Sequence, residues 1–306
     1  MTSIATNCWQ KYYTPETIAE AVALLQRYAG EARVIGGGTD LVVEMRRGLH
    51  RPVKAMVDTS RITGLNTITA VDGSIIIGCG VTHSQIVGNQ RIIKHGTCLA
   101  ESCSVIGGPQ VRNVGTLAGN VAHALPAGDG TIGLLALGGE IEVAGSDGTR
   151  WMRMEDSFRA PGKSFIDRHR EVLTRLRFRP TGVREGSAHH RVMRPQGLCL
   201  PIISMAVRLQ LDAGNTITKA RIGMGPVGPV PYLAESAMQV LVGRVAADEV
   251  FREAAQVALS SVSLRTSKYR ASREYRAQMV RTYLPVILAR AAERAANAQI
   301  DRDGGA

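Results

Sequence analysis

Two glycine-rich loops hold the residues of this sequence that are best suited to bind a ligand through the backbone. The first is residues 34–41, Val-Ile-Gly-Gly-Gly-Thr-Asp-Leu, and the second is residues 115–129, Gly-Thr-Leu-Ala-Gly-Asn-Val-Ala-His-Ala-Leu-Pro-Ala-Gly-Asp. Because glycine has no Cβ, the amides of such loops can approach and face an anion. Two loops of this kind predict one large phosphate-bearing ligand that is held from two sides.

The loops differ from the common nucleotide-binding motifs. Neither is a Gly-x-Gly-x-x-Gly that opens a helix, and neither ends in the Gly-Lys-Ser/Thr of a P-loop. Residues 32–35 are largely apolar and predict a short strand, so the first loop should lie at a strand end. The sequence therefore argues against an ordinary dinucleotide or nucleoside-triphosphate site.

In the first loop, we expect the amides of the three glycines to face phosphate. The alternative is a tight strand-to-loop turn that requires glycine. Thr39 can add a hydroxyl donor to the same phosphates. Asp40 is negatively charged like phosphate and would repel it, so its better role is to cap a helix that begins near Leu41.

In the second loop, Gly115, Thr116, Gly119 and Asn120 can supply amide and side-chain donors. Asn120 could equally stabilise its own loop through the backbone. Asp129 is placed to accept hydrogen bonds from ligand hydroxyls or ring N–H groups. Its alternative role is that of a turn residue.

The pair of loops resembles the FAD-binding medium subunit of the molybdenum hydroxylases, a group that includes carbon monoxide dehydrogenase and xanthine dehydrogenase. The first family motif, Ala/Ile-Gly-Gly-x-Thr-Asp-Leu, is matched by residues 35–41. The second, Thr-Ile-Gly-Gly-Asn-Ile-x-x-x-x-Pro-x-x-Asp, is matched by residues 116–129 and is the more specific. The sequence departs from the family at two positions. It has Ala118 where the family has glycine, and Leu125 where the family usually has a polar residue. We expect these changes to alter loop packing more than the choice of ligand.

This resemblance implies further FAD contacts. The family strand Glu-Ile-Leu-x-x-Ile is matched by residues 171–176, which puts Leu173 against the flavin ring. A basic residue near the ring in some members corresponds to Arg191, which could instead belong to a basic cluster with His189, His190 and Arg194 that only contacts phosphate or a partner. The cofactor-binding residues that we expect are Ile35, Gly36, Gly37, Gly38, Thr39, Asp40, Gly107, Gly115, Thr116, Gly119, Asn120, Ala122, His123, Asp129, Leu173 and Arg191.

The order of predicted elements favours an α+β chain. Thr14 should cap a helix that Gly30 ends, residues 94–105 should form one buried helix, and residues 147–148 should turn a hairpin. Residues 180–187 are the best linker candidate. After them we expect two strands and three helices, the last of which (271–296) should break or kink near Leu284 because Pro285 follows.

The resemblance also implies a domain layout. An FAD-binding domain of the PCMH (vanillyl-alcohol oxidase-like) type would occupy residues 1–180, with two α+β subdomains at about 1–58 and 59–180. A smaller C-terminal α+β domain, with a short antiparallel sheet and helices, would occupy residues 188–306.

Composition limits the classes of function. The 306 residues are 44% hydrophobic and 21% charged, which is an ordinary globular balance. The net charge of +11 suggests nucleic-acid binding as a possible function. Aromatic residues argue against it, because they are only 4% of the sequence and do not interleave with the basic residues. The arginine-rich stretch 265–281 is either a solvated helix face or an interface with an acidic partner subunit. Neither a signal peptide nor a membrane span is evident, so we expect a cytoplasmic protein.

Cysteine and histidine spacing gives no metal motif. Cys8, Cys79, Cys98, Cys103 and Cys199 form no Cys-x-x-Cys pair, so we expect reduced, mostly buried thiols and no iron–sulfur cluster in this chain. His83, His95 and His123 match no ligand pattern. No nucleophile elbow occurs.

The function that the resemblance implies is that of an FAD-dependent electron-transfer subunit without catalytic residues of its own. Its partners would be a large molybdopterin-binding subunit and a small subunit with two [2Fe-2S] clusters, assembled as a dimer of heterotrimers. One alternative is a self-sufficient FAD-dependent oxidoreductase of the same flavoprotein fold, and another is a non-catalytic phosphate-binding or scaffold module. The substrate and the electron acceptor stay open.

Overall fold

The N-terminal part of the chain forms a small parallel sheet. A computed structural model describes residues 8–194, 200–264, 266–268 and 270–298. In the sheet, β3 (Val53–Asp58) lies between β1 (Trp9–Tyr13) and β2 (Ala32–Ile35) and is parallel to both. Helix α1 (Ile18–Arg27) connects β1 to β2, and α2 (Leu41–Arg46) follows the first glycine loop. The loop therefore leaves the carboxyl end of a parallel strand.

Helix α1 begins later than the sequence predicts. Its cap is Thr17, whose side chain accepts from the amide of Glu20 at 3.1 Å, and not Thr14. Both threonines precede helix-compatible residues, so the local pattern does not choose between them. The helix buries Ala21, Val22 and Leu25.

The second sheet has five antiparallel strands in the order β4-β5-β10-β6-β7. These are β4 (Ile68–Val71), β5 (Ser74–Gly78), β6 (Glu140–Gly145), β7 (Gly148–Arg153) and β10 (Val172–Phe178), and the hairpin predicted at residues 147–148 joins β6 to β7. A two-stranded hairpin, β8 (Phe158–Ala160) with β9 (Lys163–Ser164), lies between β7 and β10.

Six short helices fill the chain between β5 and β6. They are α3 (His83–Gly88), α4 (Gln90–His95), α5 (Thr97–Ser104), α6 (Pro109–Arg112), α7 (Leu117–His123) and α8 (Asp129–Ala136). The single helix predicted over residues 94–105 is thus wrong, because the chain breaks between α4 and α5 at Gly96. A Cβ at Gly96 would lie 2.7 Å from the ring of Phe178, so β10 requires glycine there.

The C-terminal part is an antiparallel sheet packed against helices. The strands are β11 (Glu185–Val192), β12 (Ile203–Leu211), β13 (Ile217–Gly225) and β14 (Tyr232–Leu233), paired in that order. Helices α9 (Glu235–Leu241), α10 (Asp248–Ser260) and α11 (Arg273–Asn297) follow, and their apolar faces share a core with β11–β13. The chain is therefore α+β, as predicted. Of the stretch expected to be a linker, residues 185–187 already belong to β11.

Helix α11 continues through Pro285, so of the predicted break or kink the break is wrong. Proline removes one amide donor and crowds the preceding turn. Leu284, Ile287 and Leu288 are nevertheless fully buried against the sheet, and this packing favours a continuous helix. Tertiary contacts here outweigh the local preference.

Arg208 joins β12 to the preceding part of the chain. Its guanidinium donates to Glu185 at 2.6 Å and to the carbonyl oxygens of Leu137, Arg179 and Pro180 at 2.8–3.2 Å. Such a buried pair is stable because the remaining donors are satisfied. This cluster fixes the start of β11, the strand that reaches the site described below.

Cys8, Cys79, Cys98 and Cys103 are buried, as predicted, while Cys199 lies outside the described residues. Burial raises the pKa of the Cys79 thiol to about 11 and of the Cys98 thiol to about 12. Neither thiol is therefore poised as a nucleophile. In the described ranges, no helix is both long and apolar enough to cross a bilayer.

Candidate cofactor-binding site

One cavity of about 620 Å³ opens where the three sheets meet. Its walls come from the end of β2, from Leu173 on β10 and from Arg191 on β11, together with both glycine loops. All the cofactor-binding residues predicted from the sequence line this cavity. A volume of this size suits a large organic cofactor.

The residues of the first glycine loop line the cavity. Within the described part of the chain, the amides of residues 36–39 have no hydrogen-bond acceptor. Backbone N–H groups without partners are costly when a ligand does not satisfy them. A run of four beside a cavity is the arrangement that binds an anion.

Gly37 and Gly38 are required for the shape of this loop. A Cβ at Gly37 would lie 2.0 Å from the carbonyl oxygen of Val114, so the two loops touch through this glycine. Gly38 has φ +68°, where a side chain is strained. The turn therefore requires glycine at both positions, which is the alternative role stated above. This role is compatible with amides that face a ligand, because the same two residues shape the loop.

In the second loop, two predicted donors also have structural partners. Thr116 caps α7 by accepting from the amide of Gly119 at 3.0 Å. The Asn120 side-chain oxygen accepts from the amide and the hydroxyl of Thr131, both at 3.0 Å. The Asn120 oxygen thus bonds the first turn of α8 and not its own loop, while its side-chain amide keeps its donors.

Asp40 and Gly107 take positions that the sequence describes only in part. Asp40 directly precedes α2, as predicted, but its side chain makes no capping bond because its backbone is already helical at φ −97° and ψ −51°. The expected capping role is therefore wrong. Gly107 has φ +49°, and its carbonyl oxygen accepts from Arg112 at 2.9 Å, which ties the turn before α6 to the cavity wall.

Asp129 and Arg191 form a buried ion pair on the cavity wall. Arg191 Nη1 lies 3.0 Å from Asp129 Oδ2 and also donates to the carbonyl oxygen of Val105 at 2.5 Å. Burial raises the pKa of the Asp129 carboxyl to about 6, and the charge of Arg191 opposes this rise. Asp129 Oδ1 and Arg191 Nε are buried and have no partner in the described residues. Asp129 begins α8 and serves no Asx turn there.

The basic cluster expected around Arg191 is divided by the alternation of β11. His189 lies on the same face as Arg191, 3.9 Å from Asp129 Oδ1, and pairs with the Ser204 hydroxyl at 2.8 Å. His190 points the other way and stacks on Tyr283, with ring centroids 4.3 Å apart. The cluster is therefore not a single basic surface.

Sequence reasoning missed three further arginines of the cavity wall, Arg33 on β2, Arg112 on α6 and Arg168 after β9. Burial, together with the neighbouring charge of Arg168, lowers the pKa of Arg33 to about 10. Two adjacent guanidinium groups favour an anionic ligand. Arg33 stands two residues before Ile35, so the two-residue period of a strand could have revealed that both share a face.

His123, also predicted, is held by Glu44. Its Nε2 lies 3.0 Å from Glu44 Oε1, while the other carboxylate oxygen lies 2.8 Å from His50. This contact joins α7 to α2 behind the loops. Among the described residues, no group of histidine, cysteine and carboxylate side chains could hold a metal ion.

Cavity size, unpaired amides and arginines fit a bulky, anionic cofactor with an aromatic ring. FAD has such a composition, with a pyrophosphate for the amides and a ring for the apolar wall at Leu173. The buried unpartnered atoms of Asp129 and Arg191 belong to this same wall. The residues present therefore fit FAD.

Solved structures share this architecture. The chain superposes on carbon monoxide dehydrogenase from Hydrogenophaga pseudoflava, a form lacking the Mo-pyranopterin moiety, with a TM-score of 0.87 at 24% identity, over 93% of this chain and 97% of that one. It also superposes on a cyanide-inactivated Cu,Mo-CO dehydrogenase with a TM-score of 0.86 at 29% identity, over 95% and 99% of the two chains. The first likeness concerns the fold alone.

Family models and curated relatives agree with the structures. Residues 5–179 match the FAD binding domain in molybdopterin dehydrogenase, and residues 188–291 match the CO dehydrogenase flavoprotein C-terminal domain. The chain is 32% identical to the carbon monoxide dehydrogenase medium chain of Afipia carboxidovorans, over 93% of this chain and 96% of that one. It is 28% identical to the xanthine dehydrogenase FAD-binding subunit of Escherichia coli O157:H7, over 92% and 95%. The chain therefore belongs to the FAD-binding subunits of the molybdenum hydroxylases.

Proposed function

We propose that this chain holds FAD in the cavity and carries electrons from a partner's [2Fe-2S] clusters to an external acceptor. The pyrophosphate lies between residues 36–39 and 115–120, and the flavin ring lies against Leu173 and the Asp129–Arg191 pair. The observation that carries this proposal is the run of unpaired amides in a cavity that also contains arginines and an apolar wall.

The residues of this chain bind and orient the cofactor. The unpaired amides and the guanidinium groups of Arg33 and Arg168 line the cavity and would neutralise the pyrophosphate, while Leu173 would support the ring. The ion pair keeps Arg191 at a fixed position beside the ring, where its charge influences the reduction potential. When bound, FAD supplies the redox chemistry, taking up and releasing electrons.

Its partners are a large molybdopterin-binding subunit and a small subunit with two [2Fe-2S] clusters, in a dimer of heterotrimers. Support comes from relatives whose names place them as a medium chain or subunit. Within the arginine-rich stretch, Arg273 and Tyr275 are exposed and suit such an interface, while Arg265 and Tyr269 lie outside the described residues.

The test uses a tagged chain purified from its own cells under anaerobic conditions. We expect molybdenum and iron to co-purify in fixed ratio to FAD. Xanthine, carbon monoxide and nicotinate are then tried as reductants of the flavin. One of these substrate classes should bleach the flavin absorption of the complex but not of the FAD-loaded chain alone. A chain that carries neither metal, or that oxidises substrate by itself, contradicts the proposal and favours a self-sufficient oxidoreductase.

A further inference from the structure

His83 is a buried residue of the cavity wall to which the family motifs give no role. It is 3% exposed, begins α3 and lines the cavity, and its amide donates to the carbonyl oxygen of Gly115 at 3.0 Å. Thr82 before it forms a capping box with Gln85. The backbone of His83 is thus fixed to both α3 and the second glycine loop.

The imidazole lies where the two glycine loops meet. A Cβ built on Gly115 would lie 3.4 Å from His83 Cδ2 and 3.4 Å from Thr39 Oγ1. Side chains from α3 and from the first loop therefore converge on the space that the missing Cβ of Gly115 leaves open. The unpaired amides of residues 36–39 belong to the same first loop.

The two ring nitrogens of His83 have different surroundings. Nδ1 is enclosed and has no hydrogen-bond partner in the described residues. Nε2 has none either, but it is not enclosed, so it retains contact with open space. A proton on the enclosed nitrogen would be a buried donor without an acceptor, which is costly. The neutral ring should carry its proton on Nε2, where a ligand can accept it.

The charge state of His83 is set by its surroundings. Burial, followed by the charge of Arg112, lowers the pKa of His83 to about 4. The ring is therefore a neutral donor at physiological pH. A neutral N–H can donate to a phosphate oxygen without the desolvation cost of another buried charge.

We propose that His83 is a further cofactor-binding residue, whose Nε2–H donates to a phosphate oxygen of the dinucleotide above Gly115. This inference rests on the proposed function, since it requires FAD in the cavity. It adds a side-chain donor from a third chain segment to the two glycine loops. Thr39 Oγ1 would donate to the same phosphate region.

The test compares the affinity of the full chain for FAD among wild type, His83→Gln and His83→Leu. Glutamine can place an amide N–H near the position of Nε2, while leucine fills similar space without a donor. Loss of a hydrogen bond to a charged group should weaken FAD binding on the order of 10-fold in H83L. The affinity of H83Q for FAD should stay within about threefold of wild type, which is less than the loss of one neutral hydrogen bond would cause.

The ³¹P resonances of bound FAD give a readout that a packing role would not move. They should shift in H83L, while the flavin absorption maximum stays unchanged because the ring binds elsewhere. An H83L affinity within about twofold of wild type, or equal losses in both variants, would overturn the proposal.

Should H83L not fold, ¹⁵N NMR of histidine-labelled wild type decides. We expect His83 to be protonated on Nε2 and its Nε2–H resonance to move when FAD is added. Protonation on Nδ1, or a resonance that FAD leaves unmoved, overturns the inference. A wild type that binds no FAD would instead refute the proposed function.

Discussion

Buried histidines make the stability of this protein sensitive to acid. His189 is enclosed beside Asp129 and Arg191, and burial lowers its pKa to about 3. In the unfolded chain the same group titrates near 6.5. Between these two values the unfolded state binds the proton and the native state does not. Stability from this group is therefore complete above about pH 6.5 and is lost as the pH falls.

We predict that His189→Gln removes the part of this acid sensitivity that comes from His189. Between pH 7 and pH 5, wild type should lose about 2 kcal/mol of unfolding free energy through His189, since only the unfolded state protonates there. Glutamine does not titrate and can retain a hydrogen bond to Ser204, now 2.8 Å from His189 Nε2. Denaturant unfolding of both proteins at the two pH values measures the difference. An equal loss in both would show that His189 is protonated in the native state.

At the scale of residues, the sequence predicted which side chains meet but not how they pair. Glycine loops are recognisable because local spacing reports backbone requirements. The Asp129–Arg191 pair joins α8 to β11 across 62 positions of sequence, a separation at which spacing carries no information. The spacing of the histidines shows only that His83 matches no metal motif. Its proposed role at the loop junction follows from its contact with Gly115, which only the structure shows.

Arg276 shows how the surroundings of an element decide the role of a charge. The sequence places it in the arginine-rich stretch, for which we predict a solvated or partner-facing helix surface. In the structure it is 1% exposed and donates to the carbonyl oxygens of Ile202 and Pro226, so that prediction is wrong for this residue. Arg276 thus ties α11 to the ends of β12 and β13.

We predict that Arg276→Met lowers the unfolding free energy by about 2 kcal/mol or more, because two buried carbonyl groups lose a donor. The matched control is Arg273→Met, one turn earlier on α11. Arg273 has a side chain 70% exposed and an ion pair with Glu274, so its change should stay within about 0.5 kcal/mol. Thermal unfolding compares the two variants. Equal effects would mean that Arg276 does not secure the helix.

At the scale of elements, local signals succeeded where the chain itself supplies the constraint. The hairpin at residues 147–148 is of this kind. The break at Gly96 and the continuous α11 depend on Phe178 and on the core beneath Pro285, which are distant in sequence. Tertiary packing decided both.

At the scale of the whole molecule, three sheets from separate parts of the chain converge on one cavity. Because each sheet supplies one wall, the site forms only when the N-terminal region (residues 5–179) and the C-terminal region (residues 188–291) are folded against each other. Arg191 connects these regions through Asp129, and Arg208 connects them through the carbonyl oxygens of Leu137 and Arg179. The C-terminal region is thus part of the proposed flavin site.

The amount and the position of FAD in the purified full chain test the proposed cofactor site. Extracted flavin should equal one FAD per chain, and a crystal structure should show its pyrophosphate between residues 36–39 and 115–120, with the ring beside Leu173. A chain that neither retains nor takes up FAD, or that binds it outside this cavity, would contradict the account.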